Sequence, residues 1–310
     1  MPSTETRRGR ALTGYLLALC AGVLWGTTGP LSTALYAQGA VLTDVGFWRI
    51  TLATLGFLVY GVARPGLFRI DRRGVLVVMV LGGALVAVFE VAYQYAIAGV
   101  GVAGAATLLY TAPVIVALLA RPLLGERLTP IRLALAALVM VGVWLVVRGS
   151  PGDGALAAAM SSRGVGIAAG VLSAFSYAGS TLMARYAVPR YGSVRVLFFE
   201  LAGGTLLLAL FLPLSGHAPV PADTLAGWIY IGALGLGAVL AANFFFFAGV
   251  RRIDAAPAAV AASVEPVVGA LLALLLFAQG LTVLGWIGLA LVVGGVAGGY
   301  LREAASPDPA

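Results

Sequence analysis

The chain has 310 residues, 61% of them hydrophobic and 10% charged, with a mean hydropathy of +1.03 and a formal net charge of +7. No water-soluble core of this length needs so much apolar side chain, so the composition excludes an ordinary soluble fold and points to a membrane protein. The positive charge invites a nucleic-acid partner, but the arginines sort by loop instead of gathering on one soluble segment, so none is expected.

Apolar runs of spanning length recur along the chain and predict ten transmembrane helices, at 13–36, 43–63, 75–98, 102–121, 130–148, 164–188, 194–214, 225–249, 255–277 and 281–301. Helices satisfy their backbone polar groups within the segment, and these long non-alternating runs do not suit barrel strands. Most connections are short. The longest, from Arg148 to Arg163, carries Gly149-Ser150-Pro151-Gly152-Asp153-Gly154 and joins two halves.

Every basic residue is arginine. Arg7, Arg8 and Arg10 precede the first span, and Arg64, Arg69, Arg72 and Arg73 lie between the second and third. Arg121, Arg127 and Arg132 flank the turn from span 4 to span 5, and Arg185, Arg190 and Arg195 the turn from span 6 to span 7. Arg251 and Arg252 follow span 8, and Arg302 follows span 10. The opposite side has only Arg148 and Arg163. The positive-inside rule then places both termini in the cytoplasm, as expected for a multi-pass protein of the bacterial cytoplasmic (inner) membrane. No cleaved signal is expected, although span 1 can serve as an uncleaved one. Cys20, the sole cysteine, says nothing about redox compartment.

The second half repeats the first. Ala112-Pro113-Val-Ile-Val-Ala-Leu-Leu-Ala returns as Glu265-Pro266-Val-Val-Gly-Ala-Leu-Leu-Ala, and Ala21-Gly22-Val23-Leu24 as Ala169-Gly170-Val171-Leu172. Phe47-Trp48-Arg49-Ile50 answers Phe198-Phe199-Glu200-Leu201, and Ala98-Gly99-Val100 answers Ala248-Gly249-Val250. The matches are collinear at a nearly constant offset, which chance resemblance between apolar stretches does not produce. Five spans per copy is an odd number, so the second copy enters the membrane from the opposite side. The expected fold is all-α: ten helices as two inverted five-helix repeats around a central cavity, the arrangement that supports alternating access. The expected organisation is a cytoplasmic N-terminus (1–12), a first repeat (13–148), an extracytoplasmic linker (149–163), a second repeat (164–301) and a cytoplasmic C-terminus (302–310).

Polar stripes on matching spans nominate the cavity wall. Trp25, Thr28, Gly29 and Ser32 share a face of span 1, and Ser173, Ser176, Tyr177 and Ser180 are their partners in span 6. Glu90, Tyr93 and Gln94 in span 3 answer Leu240, Asn243 and Phe244 in span 8. Thr107, Tyr110 and Thr111 in span 4 answer Val260, Ser263 and Val264 in span 9. Small and hydroxyl residues also serve helix packing, so each stripe is either packing or cavity lining. The substrate-cavity candidates are Trp25, Thr28, Tyr93, Gln94, Tyr110, Ser176, Tyr177, Asn243, Phe244, Ser263 and Glu265.

Ionisable groups deep in lipid cost about 2.5–3.5 kcal/mol each on insertion scales, so each implies a partner, water or function. Arg49 and Glu200 are repeat partners, and inversion puts them in opposite leaflets. Glu90 is within reach of Arg49, and Arg185 of Glu200, which predicts one intramembrane ion pair per leaflet, a structural tie or a gate latch. Glu265 sits near the midplane directly before Pro266 with no basic partner at its depth. It can be a neutral hydrogen-bonded acid, bind a substrate ammonium or carry a proton. Glu126, beside Arg127, reads as half of a surface pair.

The pattern Ala112-Pro113 through Ala120 into Gly125-Glu126-Arg127-Leu128-Thr129, its degenerate copy Pro266 to Gln279-Gly280-Leu281-Thr282, and Trp25-Gly26 in a Gly-rich first span resemble EamA-type repeats. Over about 13–301 the chain is similar to ten-span members of the drug/metabolite transporter superfamily. The resemblance implies a carrier with a central cavity, usually exporting small metabolites, with exporters of aromatic amino acids and methionine as one branch. The second repeat departs from the pattern at Gln279, where the first has Glu126, which argues against an essential acid there in both copies. The related four-span exporters use a first-span Glu that neither span 1 nor span 6 carries, which puts antiport of that kind in doubt.

The leading expectation is export of amino acids with aromatic or apolar side chains, such as Phe, Trp, Tyr and Met. An amphiphilic zwitterion needs both the aromatic walls and the few hydroxyls and amides. The alternative is export of lipophilic cationic drugs with Glu265 or Glu90 as counter-charge. A sugar-phosphate carrier would want Lys or Arg clusters that the spans lack. No enzyme is expected: the one histidine, His217, lies in a loop, and neither His-Glu-x-x-His nor a lysine-bearing phosphate loop occurs. A channel would show a carbonyl filter or a charged ring, and neither is evident. No cofactor or metal is expected. The partners are a small-molecule substrate and membrane lipid, and a monomer suffices, although the sequence does not set the oligomeric state.

Overall fold

The computed structural model describes residues 4–124, 130–150 and 162–305, and every regular element among them is helical. The helices are α1 (Thr4–Gly26), α2 (Thr28–Tyr36), α3 (Leu42–Val62), α4 (Arg72–Leu109), α5 (Ala112–Leu124), α6 (Pro130–Gly149), α7 (Arg163–Tyr191), α8 (Ser193–Leu214), α9 (Leu225–Val250), α10 (Ala255–Ala262), α11 (Glu265–Phe277) and α12 (Val283–Ala305). Among the described residues seven helical stretches are long and apolar enough to cross a membrane, and Leu133–Gly149 and Val283–Gly299 are shorter apolar helices. Outward-facing Val59, Val62, Leu210, Leu214 and Leu275 are exposed, as expected of a surface that meets lipid. The expected Glu126–Arg127 pair, most of the 149–163 linker and the ends of both tails lie outside the described residues.

Three of the expected continuous spans are broken. Span 1 is interrupted at Thr27, span 4 at Tyr110–Thr111 and span 9 at Ser263–Val264. Each break lies three residues before a proline: Pro30, Pro113 and Pro266. Proline has no N–H to give the carbonyl four residues back, and its ring crowds that carbonyl, so the helix stops and restarts. Hydroxyls at the breaks add a second bond to carbonyls of the preceding turn: Thr27 to Leu24 at 2.6 Å, Thr111 to Leu108 at 2.7 Å and Ser263 to Ala259 at 2.8 Å. Spans 3 and 4, expected as separate helices, are two helices within α4, parted at Gly101, whose non-helical φ of 73° is open to glycine at no steric cost. Spans 3 and 8 both carry π-helical runs, Val75–Gly82 and Ala233–Ala241.

The helices pack reciprocally. α4 lies along α7 as α9 lies along α1; α3 lies along α8, and α6 along α12. Gly99 and Gly166 let α4 and α7 touch backbone to backbone, so that a Cβ on either would sit 2.6 Å from the other's Cα. The matching contact in the other half is Gly249 against the Gly14 carbonyl and Ala18. The hydroxyls of Thr54 and Thr205, 151 residues apart in sequence, meet at 3.2 Å between α3 and α8. Such self-paired positions are what a two-fold relation between like units produces.

Polar contacts pin the loops at both ends. Asp71 caps α4 by accepting the Gly74 N–H at 2.8 Å, and it also accepts from Tyr191 Oη at 2.6 Å and from Arg190 at 2.8 Å. The Tyr191 hydroxyl first, then the Gly74 N–H, hold the Asp71 carboxyl below its usual pKa. At the other end His217 Nε2 lies 2.6 Å from Asp44 Oδ1, and Trp48 Nε1 donates to the Val220 carbonyl at 2.9 Å. Together they draw the loop before α9 across the start of α3.

Candidate functional site

A cavity of about 270 Å³ lies at the centre, and its wall draws on both halves. All three helix breaks face it: Trp25 and Thr28 flank the first, Tyr110 and Pro113 the second, Ser263 and Glu265 the third. Irregular backbone at membrane depth is tolerated where it is buried in protein or lines a cavity, and here it does the latter. Ser176, Tyr177 and Ser180 enter from α7, Glu90 and Tyr93 from α4, Asn243 from α9, Arg49 from α3 and Glu200 from α8.

Glu265 opens α11 immediately after the break. Tyr110 Oη, from the equivalent break in the first half, donates to Glu265 Oε2 at 3.2 Å. The helix N-terminus adds a favourable field for the carboxylate. Glu265 keeps part of its surface accessible because it faces the cavity.

Arg49 is 6% exposed and Glu90 3%, and Arg49 Nη1 approaches Glu90 Oε2 at 3.3 Å. Beside this long contact the polar groups are poorly matched. Arg49 Nε and Gln94 Nε2 are buried without a hydrogen-bond partner, and Arg49 Nη1 and Glu90 Oε2 have only their long contact with each other. Buried polar groups are almost always satisfied, so this cluster stands out.

Glu200, 5% exposed, accepts a hydrogen bond from Ser180 Oγ at 2.6 Å. Arg185 was the expected partner; the hydrogen bond that the structure gives Glu200 comes from a hydroxyl. Arg185 lies more than a turn beyond Ser180 on α7 and is exposed, whereas Glu200 is buried.

Two cavity candidates are corrected. Gln94 is fully buried behind the wall, and its Oε1 accepts from Tyr36 Oη at 2.5 Å. Phe244 points away, with its ring 5.5 Å from Phe57 and 5.1 Å from Tyr60. Phe246 takes its place in the wall, with its ring 5.3 Å from Trp25. Phe246 lies three residues after Asn243 on the α-helical stretch Ala242–Val250 and so shares its face, whereas Phe244 is turned about 100° from it. Phe89, unmarked in the sequence, also lines the cavity and stacks on Tyr93 at 5.5 Å.

The polar stripes divide between the two roles. Thr107 and Ser173 are fully buried, and their hydroxyls bond to the Ala103 and Gly170 carbonyls at 2.6 and 2.7 Å, so they serve packing. Asn243 Nδ2 donates to the Val239 carbonyl at 2.8 Å, while the residue still lines the cavity. Among the described residues no group of three or more His, Cys, Asp or Glu is placed to hold a metal ion.

Known proteins resemble this one along most of its length. The model of the EamA-like transporter family matches twice, at residues 12–148 and 164–300. The chain is 29% identical over 201 residues to the pseudopaline exporter CntI of Pseudomonas aeruginosa, a match that covers 65% of this chain and 66% of the relative, just under two thirds of its length. It is also 29% identical to an uncharacterized transporter of Archaeoglobus fulgidus, over 91% of this chain and 94% of that one. A solved crystal structure of a protein superposes with a TM-score of 0.64 at 23% identity, covering 94% of this chain and 99% of the other, which shows a shared fold. With the family matched in both halves and a central cavity lined by both, the chain is a multi-pass membrane protein that belongs to the EamA-like transporter family.

Proposed function

We propose that the protein exports small metabolites by alternating access between two inverted five-span repeats, and that its cargo is amino acids with aromatic or other apolar side chains. The observation that carries this reading is the wall of the central cavity. Trp25, Tyr93, Tyr110 and Phe246 offer apolar faces, Asn243, Ser176 and Ser263 offer hydrogen bonds, and Arg49 and Glu265 offer both signs of charge. Zwitterions with a large apolar side chain need all three. At about 270 Å³ the space suits a single small metabolite and falls just below the roughly 300–1,000 Å³ of pockets for drug-sized ligands.

Reciprocal packing and the Thr54–Thr205 contact support a two-fold relation between the halves. Five spans per half makes that relation an inversion, with an axis in the membrane plane. The arginine-rich connections support cytoplasmic termini in a bacterial inner membrane. CntI, described as a pseudopaline exporter, favours export as the direction. The second reading, lipophilic cations, draws on the excess of carboxylates over arginines in the wall: Glu90, Glu200 and Glu265 against Arg49.

Proteoliposomes loaded with labelled amino acids separate the two readings. Flux of Phe, Trp, Tyr or Met above empty liposomes is expected. No amino-acid flux, together with saturable movement of a lipophilic cation, would replace the first reading with the second.

A further inference from the structure

The unpaired groups around Arg49 have a chemical sign. Arg49 Nε and Nη1 carry only N–H donors, against one unpaired acceptor, Glu90 Oε2. Even with the long Arg49–Glu90 contact counted as a bond, donors outnumber acceptors. A buried cluster short of acceptors, on a guanidinium that lines the cavity, is matched by a planar anion with several lone pairs. Glu90 neutralises the arginine's charge when the cavity is empty but leaves its fork unfilled.

Across the same cavity Glu265 presents the opposite deficit. The Tyr110 hydroxyl donates to it, and a carboxylate accepts several hydrogen bonds. Aromatic Tyr93, Tyr110 and Trp25 stand in the same wall, surfaces that favour a cation.

We propose that Arg49 and Glu265 are the two poles of a zwitterion site, Arg49 taking the carboxylate of the substrate in place of Glu90 and Glu265 taking its ammonium with Tyr110. The assignment rests on the amino-acid reading above and narrows it to molecules that carry both groups. It makes Glu90 a placeholder that holds the guanidinium until substrate arrives. A wall with only an acid pole would accept simple amines, and one with only a basic pole would accept simple acids.

The test uses three probes that share one ring: L-phenylalanine, phenethylamine, which lacks the carboxylate, and 3-phenylpropionate, which lacks the amine. Each competes against labelled phenylalanine for purified full-length protein in detergent and, in proteoliposomes, for exchange. The wild-type protein should prefer phenylalanine to either analogue by tenfold or more. Arg49→Gln should bring phenylalanine and phenethylamine to within about threefold of each other while 3-phenylpropionate stays poor. Glu265→Gln should do the reverse. The Arg49→Gln/Glu90→Gln double variant leaves no unpaired charge and should behave as Arg49→Gln, which covers the case in which the single variant does not fold. Preferences unchanged in the double variant and in Glu265→Gln, with phenylalanine still transported, would overturn the assignment and leave the amino-acid reading standing. Absence of phenylalanine binding by the wild type would overturn both.

Discussion

At Gly99 and Gly249 the two halves carry the same residue and use it alike, each letting one long helix lie against the backbone of a helix from the other half. At Arg49 and Glu200 equivalent positions carry opposite charges and have different partners, a carboxylate at 3.3 Å in one case and a hydroxyl at 2.6 Å in the other. At Ala112 and Glu265 one half has a methyl group and the other a carboxylate, both directly before a proline that breaks a span. Span 1 is broken before Pro30, whereas span 6, with Ala178 at the matching place, is one continuous helix. Where helices must touch, only small residues fit and the copies stay alike. Where side chains face the cavity, packing imposes no such demand, and the copies have diverged into different chemistry.

The sharpest way to break this comparison is at the charges. Arg49→Ala leaves Glu90 buried without its partner and should cost about 3–5 kcal/mol of stability, with most of it returned by adding Glu90→Ala. The matched change Glu200→Ala orphans only a serine hydroxyl and should cost about 1 kcal/mol. Unfolding of purified protein in mixed detergent measures both. Equal losses would mean that the two positions are not differently built.

Next comes the seam. Gly99→Val pushes a side chain into the backbone of Gly166 and should cost about 1–3 kcal/mol. Gly237→Val, where no atom lies within 4 Å of an added Cβ, should change the same melting curve far less. A third pair compares neighbouring rings. Phe246→Leu should weaken phenylalanine exchange by several-fold, about 1 kcal/mol, because the ring faces the cavity, while Phe244→Leu should lower stability and leave the apparent affinity alone.

The smallest expected effect lies outside the membrane. Asp71 has a folded pKa below its usual value near 3.8, so its contribution is complete above that value and is lost as pH falls through the lower folded one. Asp71→Asn should therefore melt slightly below wild type at pH 7, with the gap closing below pH 4. A gap that persists unchanged at pH 3 would contradict the capping role.

Much of this was legible in the sequence because the membrane simplifies the problem. Apolar runs gave the helices, and the repeat nominated Trp25, Tyr93, Tyr110, Asn243 and Glu265, all of which the structure brings into one wall. The Arg49–Glu90 contact also followed from depth and reach. Local backbone events were the illegible part. Four phenylalanines in a row, from Phe244 to Phe247, carry no apolar period, so composition offered no basis for choosing Phe246. The prolines were visible, but the breaks lie three residues before them, and span counting smoothed them over. Glu200 was assigned Arg185 by depth, whereas the hydrogen bond it receives comes from Ser180, a member of the polar stripe on the same span.

One measurement bears most directly on the claim that both halves close around a shared amino-acid site. Proteoliposomes holding unlabelled phenylalanine on one side are given labelled phenylalanine on the other, and exchange is followed for wild type and Glu265→Gln. Saturable uptake, accelerated by the trapped substrate in wild type and reduced about tenfold in Glu265→Gln, is the predicted result. Flux that rises linearly with concentration, ignores the trapped substrate and is the same in both proteins would contradict it.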